Sequence, residues 1–134
     1  MFTLKLTNRL EEIERLPAFI QEICGSCGID DMSADMINLA LEELVVNVIN
    51  YAYPEGESGD IVINSEFLAP TLSISISDKG KPFDPTAAED ADISLSVEDR
   101  PIGGLGIHLA KNIMDELKYE RREDTNILTM IKNI

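Results

Sequence analysis

Basic residues are scarce in this chain of 134 residues, which has 11 Lys and Arg against 25 Asp and Glu and a formal net charge of -14. No cluster of Lys and Arg forms a stripe that could neutralise a phosphate backbone or an anionic lipid surface. Binding to either surface depends on such positive charge. The composition therefore excludes nucleic acid and membranes from the expected partners.

Long apolar runs are also missing. The stretch at 1–17 contains no apolar segment of the kind found in signal peptides, and Glu42 and Glu43 interrupt the longer apolar run at 41–49. A membrane-spanning helix needs about 20 consecutive apolar residues. These absences predict a cytoplasmic protein.

Cysteine and histidine are too few for zinc or disulfide chemistry. Cys24 and Cys27 form a CxxC, but they fall near the C-terminal end of a helical stretch, where the helix dipole does not favour a thiolate. A zinc site needs more ligands, and His108 is the sole histidine. We interpret the cysteines as reduced thiols on a helix end and His108 as a structural residue.

Common nucleotide-binding signatures are absent as well. There is no GxxxxGK(S/T) phosphate loop and no HRD catalytic loop. The Gly104-Leu105-Gly106 segment lacks the third glycine and the preceding strand of a dinucleotide site. Any nucleotide site in this chain must therefore be of another kind.

Apolar periodicity predicts one domain, 1–134, with five strands and three helices. The order of these elements indicates an α/β (α+β) two-layer sandwich, in which the helices cover one face of a mixed, mostly antiparallel sheet. The predicted strands are 2–6, 60–68, 71–78, 118–122 and 126–132. The first predicted helix contains Ile13 to Cys24, with Pro17 near its first turn. The second runs from Ser33 as N-cap to Tyr53, and the third extends from 104 to Leu117.

Asp78 is an ionisable residue on an apolar strand face. Residues 71–78 read TLSISISD, so alternation with period two places Asp78 on the same face as Ile74 and Ile76. A buried carboxylate needs a hydrogen-bond donor or an opposite charge. Two interpretations stay open: Asp78 caps the turn at 78–82, or it accepts a hydrogen bond from a ligand amine.

The second helix carries polar groups on one face. Glu43, Asn47 and Asn50 recur at i, i+4 and i+7. The side-chain oxygen of Asn47 suits Mg²⁺, and Glu43 could accept a proton from a hydroxyl or a water. The alternative is an ordinary solvated helix face.

An acidic segment without periodicity precedes the third helix. Loops as long as residues 85–102 are usually lids or disordered segments. The segment ends in Arg100 and leads into Gly103, Gly104, Leu105 and Gly106, where backbone amides at a helix start could bind phosphate. Alternatively, the glycines only permit a tight joint between loop and helix.

The order of these motifs resembles the GHKL ATPase superfamily of gyrase, heat-shock chaperones, histidine kinases and mismatch-repair proteins, which has the Bergerat-type ATP-binding fold. Glu42-Glu43-Leu44-Val45-Val46-Asn47, Asp78-Lys79-Gly80-Lys81-Pro82-Phe83-Asp84-Pro85 and Gly103-Gly104-Leu105-Gly106-Ile107-His108-Leu109 look like the bacterial anti-sigma regulatory factors that are serine kinases. The resemblance spans nearly the whole chain.

This resemblance implies a role for each motif. Asp78 would accept the amino group of adenine, and Gly80 would let the base approach. Asn47 would hold Mg²⁺, and Glu43 would be the catalytic base.

The glycine motif and its surroundings would bind the phosphates of ATP. By the same resemblance, Gly103 to Gly106 would contact them and Arg100 would act as a charge clamp at the end of an ATP lid at about 85–102. Asn50 and Thr125 either help to hold the nucleotide or are ordinary polar surface.

The implied activity is that of an ATP- and Mg²⁺-dependent serine/threonine protein kinase. It would phosphorylate an anti-sigma factor antagonist, sequester a sigma factor and form a homodimer. The alternative is a nucleotide-gated binding module without phosphotransfer, and a third reading is a plain scaffold that binds no nucleotide.

Overall fold

One antiparallel sheet organises the structure, a computed structural model that describes residues 1–54, 56–87 and 104–134. Its strands lie in the order β1-β2-β3-β5-β4. They are β1 (Phe2–Thr7), β2 (Asp60–Leu68), β3 (Thr71–Asp78), β4 (Glu116–Arg122) and β5 (Thr125–Asn133). The helices are α1 (Leu16–Cys27), α2 (Asp31–Tyr51) and α3 (Gly104–Ile113), with short 3-10 helices at Leu10–Arg15 and Pro85–Ala87. None of these described helices combines the length and the apolarity that a membrane crossing requires.

The three helices cover one face of the sheet. The register places Ile63 of β2, Ile76 of β3 and Leu128 of β5 side by side on that face, where all three are buried. The apolar sides of the helices join the same core, and α2 contacts both α1 and α3. On the opposite face, Ser75 and Thr129 are only partly buried. The predicted two-layer sandwich is confirmed, and every described strand pair is antiparallel.

The ends of α2 differ from the prediction. The N-cap is Asp30, whose Oδ1 accepts a hydrogen bond from Ser33 N at 2.9 Å, so the prediction of Ser33 as N-cap is wrong. Both residue types cap helices well, and the earlier one starts this helix. The helix ends at Tyr51 rather than Tyr53. Tyr53 directly precedes Pro54, and the residue before a proline disfavours helical geometry.

Leu117 lies in β4 and not in α3. The apolar spacing predicts a helix that continues to Leu117, but α3 ends at Ile113. Asp115 then binds the sheet: its N–H donates to Ile131 O at 2.9 Å, and its Oδ2 accepts from Asn133 N at 2.6 Å. Tertiary pairing with β5 therefore overrides the helical periodicity.

The predicted first helix is divided into a 3-10 helix and α1. Pro17 lies in the first turn of α1, as predicted, and the helix ends at Gly28 with a φ of 73°. Cys24 and Cys27 lie near its C-terminal end as free thiols. Burial, with a smaller contribution from Cys27, raises the pKa of Cys24 to about 11, so this thiol stays protonated at neutral pH.

Candidate functional site

Asp78 is a buried carboxylate at the end of β3. Its side chain is 4 % exposed and lies on the helix-facing side of the sheet, as the strand alternation predicts. The register sets it between Ile61 of β2 and Asn126 of β5. Burial raises the pKa of Asp78, and this rise is opposed by hydrogen bonds from Asn126 and the Gly80 amide and by the charge of Arg121. The protein thus supplies donors that favour the ionised form in a place that disfavours charge.

The two carboxylate oxygens of Asp78 have different surroundings. Oδ1 accepts hydrogen bonds from Gly80 N and from Asn126 Nδ2, both at 2.9 Å. No described residue donates a hydrogen bond to Oδ2. Asp78 therefore caps its own turn through one oxygen, as one interpretation of the sequence predicts, and its role toward a ligand amine stays a prediction.

The turn that follows β3 is fixed against the end of α2. Lys79 N donates to Tyr53 Oη at 2.9 Å, and Lys81 N donates to the Ala52 carbonyl at 2.8 Å. Between them, Gly80 lies so close to α2 that a Cβ at this position would overlap the Ala52 carbonyl. Only glycine fits this approach of two backbone segments.

Side chains of β4 and β5 hold the same turn from the other side. Arg121 Nη1 donates to the Gly80 carbonyl, and Asn126 Nδ2 donates to the Lys81 carbonyl, both at 2.8 Å. Asn126 is 3 % exposed, and its Oδ1 accepts hydrogen bonds from Tyr119 and Arg121. Sequence reasoning missed Asn126, although the alternation of β5 places it on the core face and was the available signal.

Glu43 and Asn47 lie one turn apart on α2, as predicted, and the start of α3 lies beside them. Asn47 is 3 % exposed, and its Nδ2 donates to the Glu43 carbonyl at 2.8 Å. Its Oδ1 accepts no hydrogen bond from any described residue. A Cβ on Gly106 would overlap the Glu43 carboxylate. The fold thereby brings the glycine motif against Glu43.

Tyr51 and Phe83 connect α2 to the segment after the Asp78 turn. Their ring centroids are 5.6 Å apart. The Tyr51 hydroxyl is buried and has no hydrogen-bond partner among the described residues. Leaving a buried hydroxyl unpaired costs about 1–3 kcal/mol. Sequence reasoning missed Tyr51, although it follows Asn47 by one helical turn.

The weaker candidates lie at the margin. Asn50 is exposed and lines a cleft with Arg9 and Pro54. Thr125 is the first residue of β5, and its hydroxyl donates to Asp124 Oδ1 at 3.3 Å. Neither side chain is hydrogen-bonded to Asp78, and their part in nucleotide binding stays a prediction.

The lid is only partly described. Pro85–Ala87 form a short 3-10 helix, and Gly104, Leu105 and Gly106 open α3 as the sequence predicts. Arg100, Gly103 and most of the predicted lid at 85–102 lie outside the described residues. Their roles stay predictions.

The fold and these motifs together define a class of ATPase. A family described as "Histidine kinase-like ATPase domain" matches residues 6–132, and the chain belongs to this family. The catalytic domain of the histidine kinase ThkA is similar in fold, with a TM-score of 0.56 and 19 % identity over 99 % of this chain and 96 % of that one. A chain with the RsbU and RsbW domains of Rv1364c from Mycobacterium tuberculosis gives a TM-score of 0.67 at 16 % identity, covering 99 % of this chain and 32 % of that one.

Relatives by sequence are named as serine kinases. The chain is 24 % identical over 130 residues to the serine-protein kinase RsbW of Listeria monocytogenes, covering 94 % of this chain and 83 % of that protein. It is 30 % identical over 94 residues to the serine/threonine-protein kinase BtrW of Bordetella bronchiseptica, covering 70 % of this chain and 66 % of that kinase. The predicted resemblance to serine kinases of the anti-sigma regulatory type is confirmed.

Proposed function

We propose that this chain binds ATP with Mg²⁺ and transfers the γ-phosphoryl group to a serine of an anti-sigma factor antagonist, and that it also sequesters a sigma factor. The proposal rests above all on the buried carboxylate of Asp78, whose Oδ1 is bound by the protein while Oδ2 has no donor among the described residues. Relatives named as serine-protein kinases support the reaction type.

The adenine base would bind at Asp78. Oδ2 would accept a hydrogen bond from the amino group of the base, which a charged acceptor binds more strongly than a neutral one does. Gly80 has no side chain that could cover the base, and its position is fixed by α2. The hydroxyl of Tyr51, which has no partner among the described residues, would supply one further polar group to the nucleotide.

The phosphate end would be formed by α2 and α3. Mg²⁺ would be held by Asn47 Oδ1 together with phosphate oxygens and water, because the described residues contain no cluster of His, Cys, Asp and Glu that could hold the ion alone. That ion would neutralise phosphate charge during transfer. The amides of Gly104, Leu105 and Gly106, at the N-terminus of α3, would bind the phosphates. We place Gly103 and the clamp Arg100 in the same site.

Glu43 would act as the catalytic base. Its carboxylate would take the proton of the serine hydroxyl as the serine oxygen bonds to the γ-phosphorus and the bond to the leaving ADP breaks. Cationic help from the described residues is limited, since Lys79 and Lys81 are exposed and Lys111 Nζ lies 3.5 Å from the Thr86 carbonyl. We therefore expect slow turnover, as suits a regulatory switch.

The assembly proposed here is a homodimer in the cytoplasm. A sigma factor and an anti-sigma factor antagonist would be its protein partners. Its acidity makes proteins, and not nucleic acid or membranes, the expected partners.

Phosphotransfer can be tested with γ-labelled ATP, Mg²⁺ and candidate antagonists. Glu43→Gln keeps the shape of the side chain but removes the base, so label on the partner should fall about 100- to 10,000-fold. The matched control is Glu42→Gln, whose amide oxygen still accepts the hydrogen bond from Asn38 Nδ2. Equal labelling by wild type and Glu43→Gln would contradict the kinase. Tight ATP binding without label on any candidate would support the nucleotide-gated module instead.

A further inference from the structure

We propose that Asn126 is a positioning residue that sets base selectivity: it keeps Asp78 as a pure hydrogen-bond acceptor, so that the site takes a 6-amino purine and rejects a 6-keto purine. This inference rests on the proposed binding of adenine at Asp78. It assigns a function to a buried amide on β5 that none of the sequence motifs contains.

The hydrogen bonds of Asn126 are saturated within the protein. Its Nδ2 donates to Asp78 Oδ1 at 2.9 Å and to the Lys81 carbonyl at 2.8 Å. Its Oδ1 accepts from Arg121 Nη1 at 3.0 Å and from the Tyr119 hydroxyl. No capacity remains for a ligand. Asn126 can therefore affect a bound base only through Asp78.

The orientation of the Asn126 amide is fixed by its neighbours. The guanidinium of Arg121 can only donate, so the oxygen of the amide must face it. The amide NH₂ consequently faces Asp78 and can only donate to it. Asp78 Oδ1 is thereby held as an acceptor, and the carboxylate plane is fixed by a second donor, the Gly80 amide.

The protonation state of Asp78 decides which base fits. An ionised Oδ2 accepts from an exocyclic amino group, whereas a protonated Oδ2 would donate to an exocyclic carbonyl. Burial favours protonation, and donation from Asn126 opposes it. Selectivity for adenine therefore depends on the donors that keep a buried carboxylate ionised.

Charged and titratable groups reach Asp78 from several elements. Arg121 approaches from β4, and Tyr53 near the end of α2 interacts with the Asp78 charge. Lys79 and Lys81 flank Gly80 in the turn, and both are exposed. The charge of Asp60 in β2 also interacts with Tyr53, as the charge of Asp78 does. Of these groups, Arg121 also donates a hydrogen bond to the Asn126 oxygen, so Arg121 and Asn126 together favour the ionised form of Asp78.

The sharpest variant is Asn126→Asp, which keeps the shape of the side chain and replaces the NH₂ donor by an oxygen. That oxygen would lie against Asp78 Oδ1, at the place of a 2.9 Å hydrogen bond. Two carboxylates at such a distance cannot both be ionised, so they would share a proton. The matched control is Asn64→Asp on the outer face of the same sheet, where the side-chain oxygen already accepts from Thr3 Oγ1 and the same charge is added.

Calorimetric titration with ADP and with inosine diphosphate, each with Mg²⁺, tests the inference at about pH 6 and about pH 8. The wild type and Asn64→Asp should prefer ADP by about 100-fold. In Asn126→Asp this preference should narrow about 10-fold or more, most strongly at the lower pH, because the added proton disfavours the acceptor state. In the same variant, the rate of phosphotransfer at saturating ATP should fall much less than the affinity for ADP does.

A second variant covers the case in which Asn126→Asp does not fold. Tyr119→Phe removes one donor to the Asn126 oxygen and keeps the ring, so the preference for ADP should narrow a few-fold in the same direction. The inference would be overturned if folded Asn126→Asp or Tyr119→Phe kept the wild-type ratio of ADP to inosine diphosphate affinity and the wild-type pH profile. A wild type that binds ADP and inosine diphosphate equally would instead overturn the proposed role of Asp78.

Discussion

The two ends of the candidate site are built differently. At the base end, the amides of Lys79, Gly80 and Lys81 and the carbonyls of Gly80 and Lys81 are all bound by the protein itself. At the phosphate end, Asn47 Oδ1 and the Glu43 carboxylate have no hydrogen-bond partner among the described residues. Among the described residues, the proposed base end is therefore the more extensively hydrogen-bonded of the two, and the proposed phosphate end includes Arg100 and Gly103, which lie outside them.

The difference is consistent with what each end would bind. Adenine is rigid and presents a fixed edge, so a preformed acceptor such as Asp78 gains affinity because little has to be ordered on binding. At the proposed phosphate end, Asn47 Oδ1 accepts no hydrogen bond from a described residue, so it would be available to a metal ion. Two glycines, Gly80 and Gly106, allow this contrast to be tested directly.

The largest effect is expected for Gly80→Ala. Its Cβ would overlap the Ala52 carbonyl, which is backbone and cannot move without shifting α2. We expect a loss of about 2–3 kcal/mol in the free energy of unfolding and weaker ADP binding. Chemical denaturation measures the first quantity.

The control for that measurement is Gly25→Ala. A Cβ at Gly25 meets nothing within 4 Å, and the residue lies in α1. Alanine there should stabilise the chain by about 0.5–1 kcal/mol. If Gly80→Ala were as stable as Gly25→Ala, the base end would not be as rigid as its contacts indicate.

A smaller effect is expected for Gly106→Ala at the other end. The obstacle is the end of the Glu43 side chain, which can rotate away. The free energy of unfolding should change by no more than about 0.5 kcal/mol. Phosphotransfer should fall about 10- to 100-fold because the base is displaced, while ADP affinity is retained. Asn112→Ala, on an exposed position of the same helix, should leave transfer unchanged; a large loss of stability in Gly106→Ala would show that this end is rigid too.

The smallest effect is expected for the free energy of unfolding of Asp78→Asn and its dependence on pH. Burial raises the pKa of Asp78, so the ionised form is penalised in the folded state and its stability is greater below that pKa than above it. Asparagine removes the penalty, so the variant should be more stable than wild type by about 0.5–1 kcal/mol near pH 7. The gain should shrink toward acid pH, for example at about pH 4, because the ionised form of Asp78 is lost as the pH falls through its raised pKa. Urea denaturation at both values measures it, and a destabilised variant at neutral pH would contradict this balance.

Most of the fold could be predicted because it depends on local periodicity. Strand alternation and helical spacing give the elements and their order, and a two-layer sandwich follows from them. Leu117 shows the limit, since its apolar spacing is helical and only the pairing of Asp115 with β5 decides that α3 has ended. Such a contact between distant segments is not present in the local sequence.

The site was predictable where a polar residue interrupts an apolar face. Asp78 stands out for that reason, whereas Glu43 and Asn47 stand out because they recur on one polar face of α2. Asn126 gives the same signal but no motif supports it, and the part played by Arg121 depends on the register between β4 and β5. Cross-strand register decides which side chains meet, and it is not fixed by spacing along one strand.

A crystal structure with ADP and Mg²⁺ would show whether Asp78 binds the adenine base. We expect the exocyclic amino nitrogen of adenine to lie within about 3.2 Å of Asp78 Oδ2, with Oδ1 still bound to Gly80 N and Asn126 Nδ2. A base that lies away from β3, or an amino group bound only by other groups while Asp78 Oδ2 turns to the protein, would contradict it.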